Sequence, residues 1–256
     1  MSPSTVIKIQ ALDAPPPRRY EAHADARVSD WTSLYRIAGI AALTVVVLIP
    51  IQGAIYILWP PPTTVVDYFR TFQSNAFLGL LDLDLLLIVD QLLIVAVLLG
   101  LYAALRRTDQ SMMLVGTTIG IIGAVLFIVS REATFSMFWL SQQYTAATSD
   151  VDRAALVAAG QTMLTTYNGT AFSVGYFLSG VAMLLVSAVM LRGSVFSGVT
   201  GWAGVIAGIT GLVPASFGML GFVLSFISLL PLLVWVALIA RRFLQLKLQG
   251  SGAEVR

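Results

Sequence analysis

The apolar positions of this chain fall into long unbroken runs separated by short polar joints, a pattern of membrane-spanning helices rather than of amphipathic surface helices. The clearest run is Leu83–Leu105, LDLLLIVDQLLIVAVLLGLYAAL. It is long enough for a hydrocarbon core of about 30 Å, which needs roughly 20 residues. Its Leu, Ile and Val residues outweigh the roughly 2.5–3.5 kcal/mol that one central aspartate costs on insertion. Similar runs predict spans at about 37–58, 112–130 and 171–191. The apolar stretch Thr200–Ala240 is too long for one crossing and is broken at Pro214, so it divides into 200–213 and 219–240. The first of these two is short enough to be re-entrant. The expected fold class is all-α, a polytopic integral membrane bundle of six transmembrane helices occupying 31–246.

The joints carry their own signals. Pro50 predicts a kink in the first span, and Trp59-Pro60-Pro61-Pro62 a hard stop. Thr63–Leu81 is too polar to cross and predicts an amphipathic surface helix. The third span is expected to continue as helix to Trp139, with FSMFW as an interfacial aromatic belt. Ser141–Tyr167 is a polar connection in which Ser149 and Asp152 form a capping box, with Asn168-Gly169 as the stop of a short helix. Residues 1–30, with three consecutive prolines and mixed charge, predict a disordered cytoplasmic tail without a signal peptide, and 247–256 a second tail.

Composition narrows the chemistry. Hydrophobic residues make up 57% and charged residues 11%, far from the quarter charged of soluble domains. The absence of cysteine excludes disulfides and thiolate sites, and the single histidine, His23, lies in the tail, so no metal and no cofactor is expected. The net charge of +2 gives no basis for nucleic-acid binding. All Lys and Arg residues except Arg70, Arg131 and Arg153 fall on the side of the chain termini in a six-span arrangement. The positive-inside rule then places both termini in the cytoplasm.

Polar residues inside the spans are the candidate site. Asp84, Gln91 and Tyr102 recur on one stripe of the second span, with Asp90 at its edge. Such a stripe faces protein, because charge in lipid is costly. Arg131 is expected to pair with Asp90 or Asp84, with Ser130 and Glu132 nearby. The face of Ser173, Tyr176, Gly180, Met183 and Ser187 on the fourth span offers an opposite wall. Asp82 and Asp84 also suit a helix start, where carboxylates meet free N–H groups. A divalent ion on Asp82, Asp84 and Asp90 is disfavoured, because positions two apart diverge on a helix. Gly116, Gly120 and Gly123 in the third span and Gly204, Gly208 and Gly211 in the fifth share a spacing that lets helix backbones approach. Packing within the membrane is the primary reading of these faces, with a homo-oligomer or a membrane partner as the other. Because the match joins spans three and five, an inverted repeat of three helices is not expected.

No HExxH, GxSxG, P-loop or GxGxxG is present. RIAGIAALTVVVLIP, QQYTAATSDVDRAALVAAGQTMLTTYNGTAF and VMLRGSVFSGVTGWAGVIAGITG, followed by a terminal W…RR, resemble the bacterial membrane family catalogued as domain of unknown function 4386. The resemblance covers Arg36–Leu246 and implies a six-pass protein of the bacterial inner membrane. It implies no reaction and no functional residue. The residues themselves favour a non-enzymatic role: binding or passing a small ligand or ion at an outward-facing pocket, through Asp84, Asp90, Gln91 and Arg131, with Glu132 and Tyr176. The alternatives are a sensor or accessory subunit docking a membrane partner, and a lipid-modifying enzyme using the carboxylates as acid and base.

Overall fold

The computed structural model describes residues 31–80 and 84–253, with side chains as far as Leu246. The expected tail over 1–30 with His23, the capping role of Asp82, and the terminal basic residues Lys8, Arg18, Arg19, Arg27 and Arg256 lie outside the described residues, as does the side chain of Lys247. The described residues are all-helical, with no strand. In chain order they form α1 (Thr32–Leu58), α2 (Val65–Ser74), α3 (Ala76–Leu80), α4 (Leu86–Leu105) and α5 (Gln110–Ser130). These are followed by α6 (Glu132–Ala146), α7 (Asp150–Tyr167), α8 (Thr170–Arg192), α9 (Gly198–Thr210) and α10 (Gly218–Ala253).

Local chemistry sets the ends. Prolines at 60–62 stop α1 because they donate no backbone hydrogen bond. Thr64, Asp109, Ser149 and Ser197 each accept a first-turn N–H, opening α2, α5, α7 and α9. Gly218 starts α10 at φ 66°, a left-handed conformation that glycine adopts without a Cβ clash.

Helices α1, α4, α5, α8, α9 and α10 pack as a closed ring, each against its neighbour in this order, with α10 returning to α1. Tyr35 stacks on Phe243 at 6.0 Å, so the start of α1 and the later part of α10 meet at one end of the bundle, the terminal end. Five stretches, containing α1, α4, α5, α8 and α10, are long and apolar enough to cross a membrane. Helix α9 is apolar but has 13 residues, a length of about 20 Å. The chain is a multi-pass membrane protein. Its lipid-facing sides carry exposed Ile40, Val47, Leu92, Leu114, Val125 and Phe226, as a bundle dissolved in hydrocarbon requires.

The glycine faces lie inside this ring. Gly123 of α5 and Gly175 of α8 bring two backbones together: a Cβ on Gly123 would stand 3.0 Å from the Gly175 carbonyl oxygen. Gly116 and Gly120 face Leu185 and Ala182 of the same helix. Gly204 faces Ser187 and Trp235, Gly208 faces Leu184, and Gly211 closes α9. Both stripes pack largely on α8, so they are not free surfaces for a second copy or a membrane partner.

The two polar connections fold onto each other as a cap at the opposite end. Val65, Tyr68, Phe69, Phe72 and Met137 form its small core, and the Ser141 hydroxyl donates to the Phe69 carbonyl at 3.0 Å. Two expectations change here. Helix does not run unbroken from Met112 to Trp139, because the Arg131 N–H bonds to Ile128 O at 3.0 Å in a tightened turn that separates α5 from α6. Nor is FSMFW a continuous belt: Met137 is buried in the cap and Phe138 packs edge-on against Phe72, leaving Trp139 exposed. Burial in the cap removes more apolar surface from contact with water than an interfacial position would.

Candidate functional site

Asp84 stands in a π-helical turn immediately before α4, a winding that redirects side chains from the α-helical stripe. Its carboxylate is 1% exposed. Arg131, at the junction of α5 and α6, donates from Nη1 to Asp84 Oδ1 at 2.9 Å. The Tyr167 hydroxyl, at the end of α7, donates to the same oxygen at 3.0 Å, and the Thr134 hydroxyl of α6 donates to Oδ2. The remaining guanidinium donors reach Ser130 Oγ at 3.1 Å and the Tyr167 carbonyl at 3.5 Å. The cation lies over three rings: Tyr167 at 3.9 Å, Phe127 at 4.9 Å and Phe172 at 5.1 Å. Both carboxylate oxygens and all three guanidinium nitrogens therefore have a partner, the condition under which a buried ion pair is tolerated.

Tyr68 of α2 lies close enough to feel both charges. Burial first, and then the Asp84 carboxylate, push its phenol up to about 12, while Arg131 opposes them. The cluster thus ties the cap to α4, α5 and α8. Sequence reading offered Asp84 or Asp90 as the partner of Arg131, and Asp84 is the one it meets. Glu132, one residue from Arg131, is exposed at the start of α6 and takes no part.

Asp90 has a different environment. It sits inside the ring, 8% exposed, and its Oδ1 is buried without any hydrogen-bond partner. It faces a cavity of about 170 Å³ to which all six ring helices contribute. Val45 and Ile49 come from α1, Asp90, Gln91 and Ile94 from α4, and Phe127 from α5. Tyr176, Ser179, Gly180 and Met183 come from α8, Ala207 and Gly211 from α9 and its cap, and Ser228 and Leu232 from α10. Gln91 and Tyr176 thus share one cavity with Asp90, while Asp84, Arg131 and Glu132 do not line it. Phe127 touches both regions, with the cavity at its ring and the Arg131 guanidinium stacked on it.

Toward the terminal end the ring is solid. Val97, Val186, Trp235 and Val236 follow the cavity residues on α4, α8 and α10 and belong to one buried cluster with Leu101, Met190 and Phe243. Tyr102, expected on the stripe with Asp84 and Gln91, packs against that cluster instead. Ser187 is buried there too, and Ser173 pairs with Ser216 at 3.3 Å, so the face predicted on the fourth span is divided among three environments.

Sequence reading missed Thr134, Tyr167, Phe127, Ser179 and Ser228. Thr134 and Tyr167 come from connections with no periodic relation to α4. Phe127, Ser179 and Ser228 are ordinary apolar-helix residues until the ring brings them together. Among the described residues, no group of histidine or carboxylate side chains forms a metal site.

No curated protein and no solved structure matches the chain. The family model described as Domain of unknown function (DUF4386) matches residues 36–245, most of the chain, and the chain belongs to that family.

Proposed function

We propose that this protein crosses a bacterial inner membrane six times, with both termini cytoplasmic and the cap outside, and that it binds a small ligand in the central cavity at Asp90. The six-pass reading rests on the ring: α9 lies between α8 and α10 as a full member. The orientation rests on charge, since Arg36, Arg106, Arg107, Arg192, Arg241 and Arg242 belong to the terminal half of the helices or their ends.

The binding reading is carried by one observation: Asp90 Oδ1 is buried, unpartnered, and faces a cavity walled by every helix of the ring. A carboxyl group in that position is expensive unless something completes its hydrogen bonds. Gln91 and Tyr176 supply further polar contacts. Asp84 and Arg131, engaged with each other and with Thr134 and Tyr167, act as the clamp that holds the roof rather than as ligand contacts. The solid terminal half favours binding over passage.

The test is thermal unfolding of the detergent-purified protein against a panel of benzene-sized cations, neutral molecules and anions. The comparison is Ser228→Leu, which extends a side chain into the cavity from α10. At least one chemical class is expected to raise the Tm of the native chain and not of the filled one. A panel that shifts neither chain, or both equally, sinks the binding reading.

A further inference from the structure

The hydrogen-bonding state of the cavity wall specifies its ligand further. We infer that the cavity takes a compact organic ammonium ion, an inference that rests on the binding reading above and adds the ligand's class. Three observations converge on it.

The first is the direction of the hydroxyl hydrogen bonds. Ser179 Oγ donates to the Gly175 carbonyl at 2.9 Å, and Ser228 Oγ donates to the Ser225 carbonyl at 2.7 Å. Tyr176 Oη donates to Ser225 Oγ at 2.9 Å. Each hydroxyl has one hydrogen and two lone pairs. With the hydrogens engaged in the helices, these groups offer the cavity lone pairs only. Asp90 Oδ1 adds an unpartnered acceptor. Gln91 is the one lining side chain that carries free donors as well as an acceptor. No Lys, Arg or His lines the cavity, and the guanidinium of Arg131 is engaged with Asp84, Ser130 and Tyr167. A wall rich in acceptors and poor in donors repels an anion and selects a ligand that donates.

The second is the end of α9. This helix begins at the terminal end and stops at Gly211, on the cavity wall. The negative end of its dipole is thus at the cavity, and since 13 helical residues span only about 20 Å, the turns over 211–217 carry the chain through the rest of this crossing. The C-terminal end of a helix broken off inside a membrane stabilises positive charge.

The third is size and apolarity. Phe127 and Tyr176 are among the lining residues, and Val45, Ile49, Ile94, Met183 and Leu232 supply hydrocarbon. A volume of about 170 Å³ is close to the engineered cavity of roughly 150 Å³ that accommodates benzene. An inorganic cation would leave most of this wall without contact, and its oxygen ligands would be sparse. An ammonium group carried on a benzene-sized hydrocarbon satisfies both parts: the N–H donors meet Asp90 and the hydroxyl lone pairs, and the hydrocarbon fills the rest, with Tyr176 as the aromatic group not already under a cation.

The experiment measures binding of cyclohexylammonium, cyclohexanol and cyclohexanecarboxylate to the full chain in detergent at matched ionic strength. The native protein is compared with Asp90→Asn and Ser228→Leu. Cyclohexylammonium is expected to bind about ten-fold or more tighter than cyclohexanol, the difference a charge-assisted hydrogen bond makes. Asp90→Asn is expected to abolish that preference while still admitting cyclohexanol, and Ser228→Leu to weaken both. Equal binding of amine and alcohol, or tighter binding of the carboxylate, overturns the ammonium assignment while leaving the cavity as a binding site. If none of the three binds and the wider panel also gives no shift that Ser228→Leu removes, the binding reading falls and the assignment falls with it.

Discussion

Arg131 and Asp84 meet at 2.9 Å with their side chains 2% and 0% exposed, and three further groups complete the carboxylate and guanidinium. The bond joins the entrance of α4 to the junction of α5 and α6, and through Tyr167 to the end of α7. Removing one partner leaves an uncompensated buried charge. Arg131→Met is therefore expected to destabilise the protein by about 3–5 kcal/mol, and the double change Asp84→Leu with Arg131→Met to recover part of that loss. Reversible unfolding in mixed micelles measures both. A single-variant loss below about 1 kcal/mol, the range of an exposed pair, would mean that the clamp contributes little.

Asp90 is expected to behave in the opposite way. Its Oδ1 has no hydrogen-bond partner, so replacing the carboxylate with an amide removes the cost of burying a charge without breaking a bond to that oxygen. Asp90→Asn should raise the ligand-free stability by about 1–3 kcal/mol. A loss of stability on the same unfolding assay would show that Asp90 holds a structural bond.

The glycines separate packing from propensity. At Gly123 a methyl group would meet Ser179 Oγ at 2.8 Å and the Gly175 carbonyl at 3.0 Å, and backbone has nowhere to yield. Gly123→Ala is expected to cost about 1–3 kcal/mol. At Gly53, in α1, nothing lies within 4 Å, so Gly53→Ala should gain about 0.5–1 kcal/mol from helix propensity alone. Equal effects at the two positions would contradict the close approach of α5 and α8.

Alkaline pH tests the cap. The Tyr68 phenol is raised from 10.0 to about 12, so the folded protein keeps a proton that the unfolded chain releases first. That contribution to stability is complete below pH 10 and is lost as pH rises toward about 12. Tyr68→Phe should flatten the stability profile in this window. A profile identical to that of the native chain would place the alkaline loss elsewhere.

Much of the fold was legible because hydropathy over 20 residues is a local quantity. The ends of α1 and α7 were written in Pro60–Pro62, Ser149 and Asn168-Gly169, where one or two residues decide the backbone. The interruption at Arg131 was not, since Ile128–Glu132 has no helix-breaking residue and the turn serves an ion pair with a partner far away in sequence. The two carboxylates of the α4 region looked equivalent as residues in an apolar run. Their separation into a saturated Asp84 and an unpartnered Asp90 depends on the π turn and on Tyr167 and Thr134, which reach Asp84 from connections that the hydropathy pattern treats as exterior. Gln91 and Tyr176 were found because polar groups in a span face protein, but nothing in the spacing could show that α9 ends beside them.

The ring also follows the order of the chain. Each helix of the ring packs against the ring helix that precedes it in sequence. The exception is the seam between α10 and α1, where Tyr35 and Gly39 receive Phe243. Helix α10 buries the alanines of the inward face of α1, Ala38, Ala41 and Ala42, and supplies the Ser228 and Leu232 wall of the compartment around Asp90. The seam between α10 and α1 is thus the last contact in chain order, and the same contact completes the wall around Asp90.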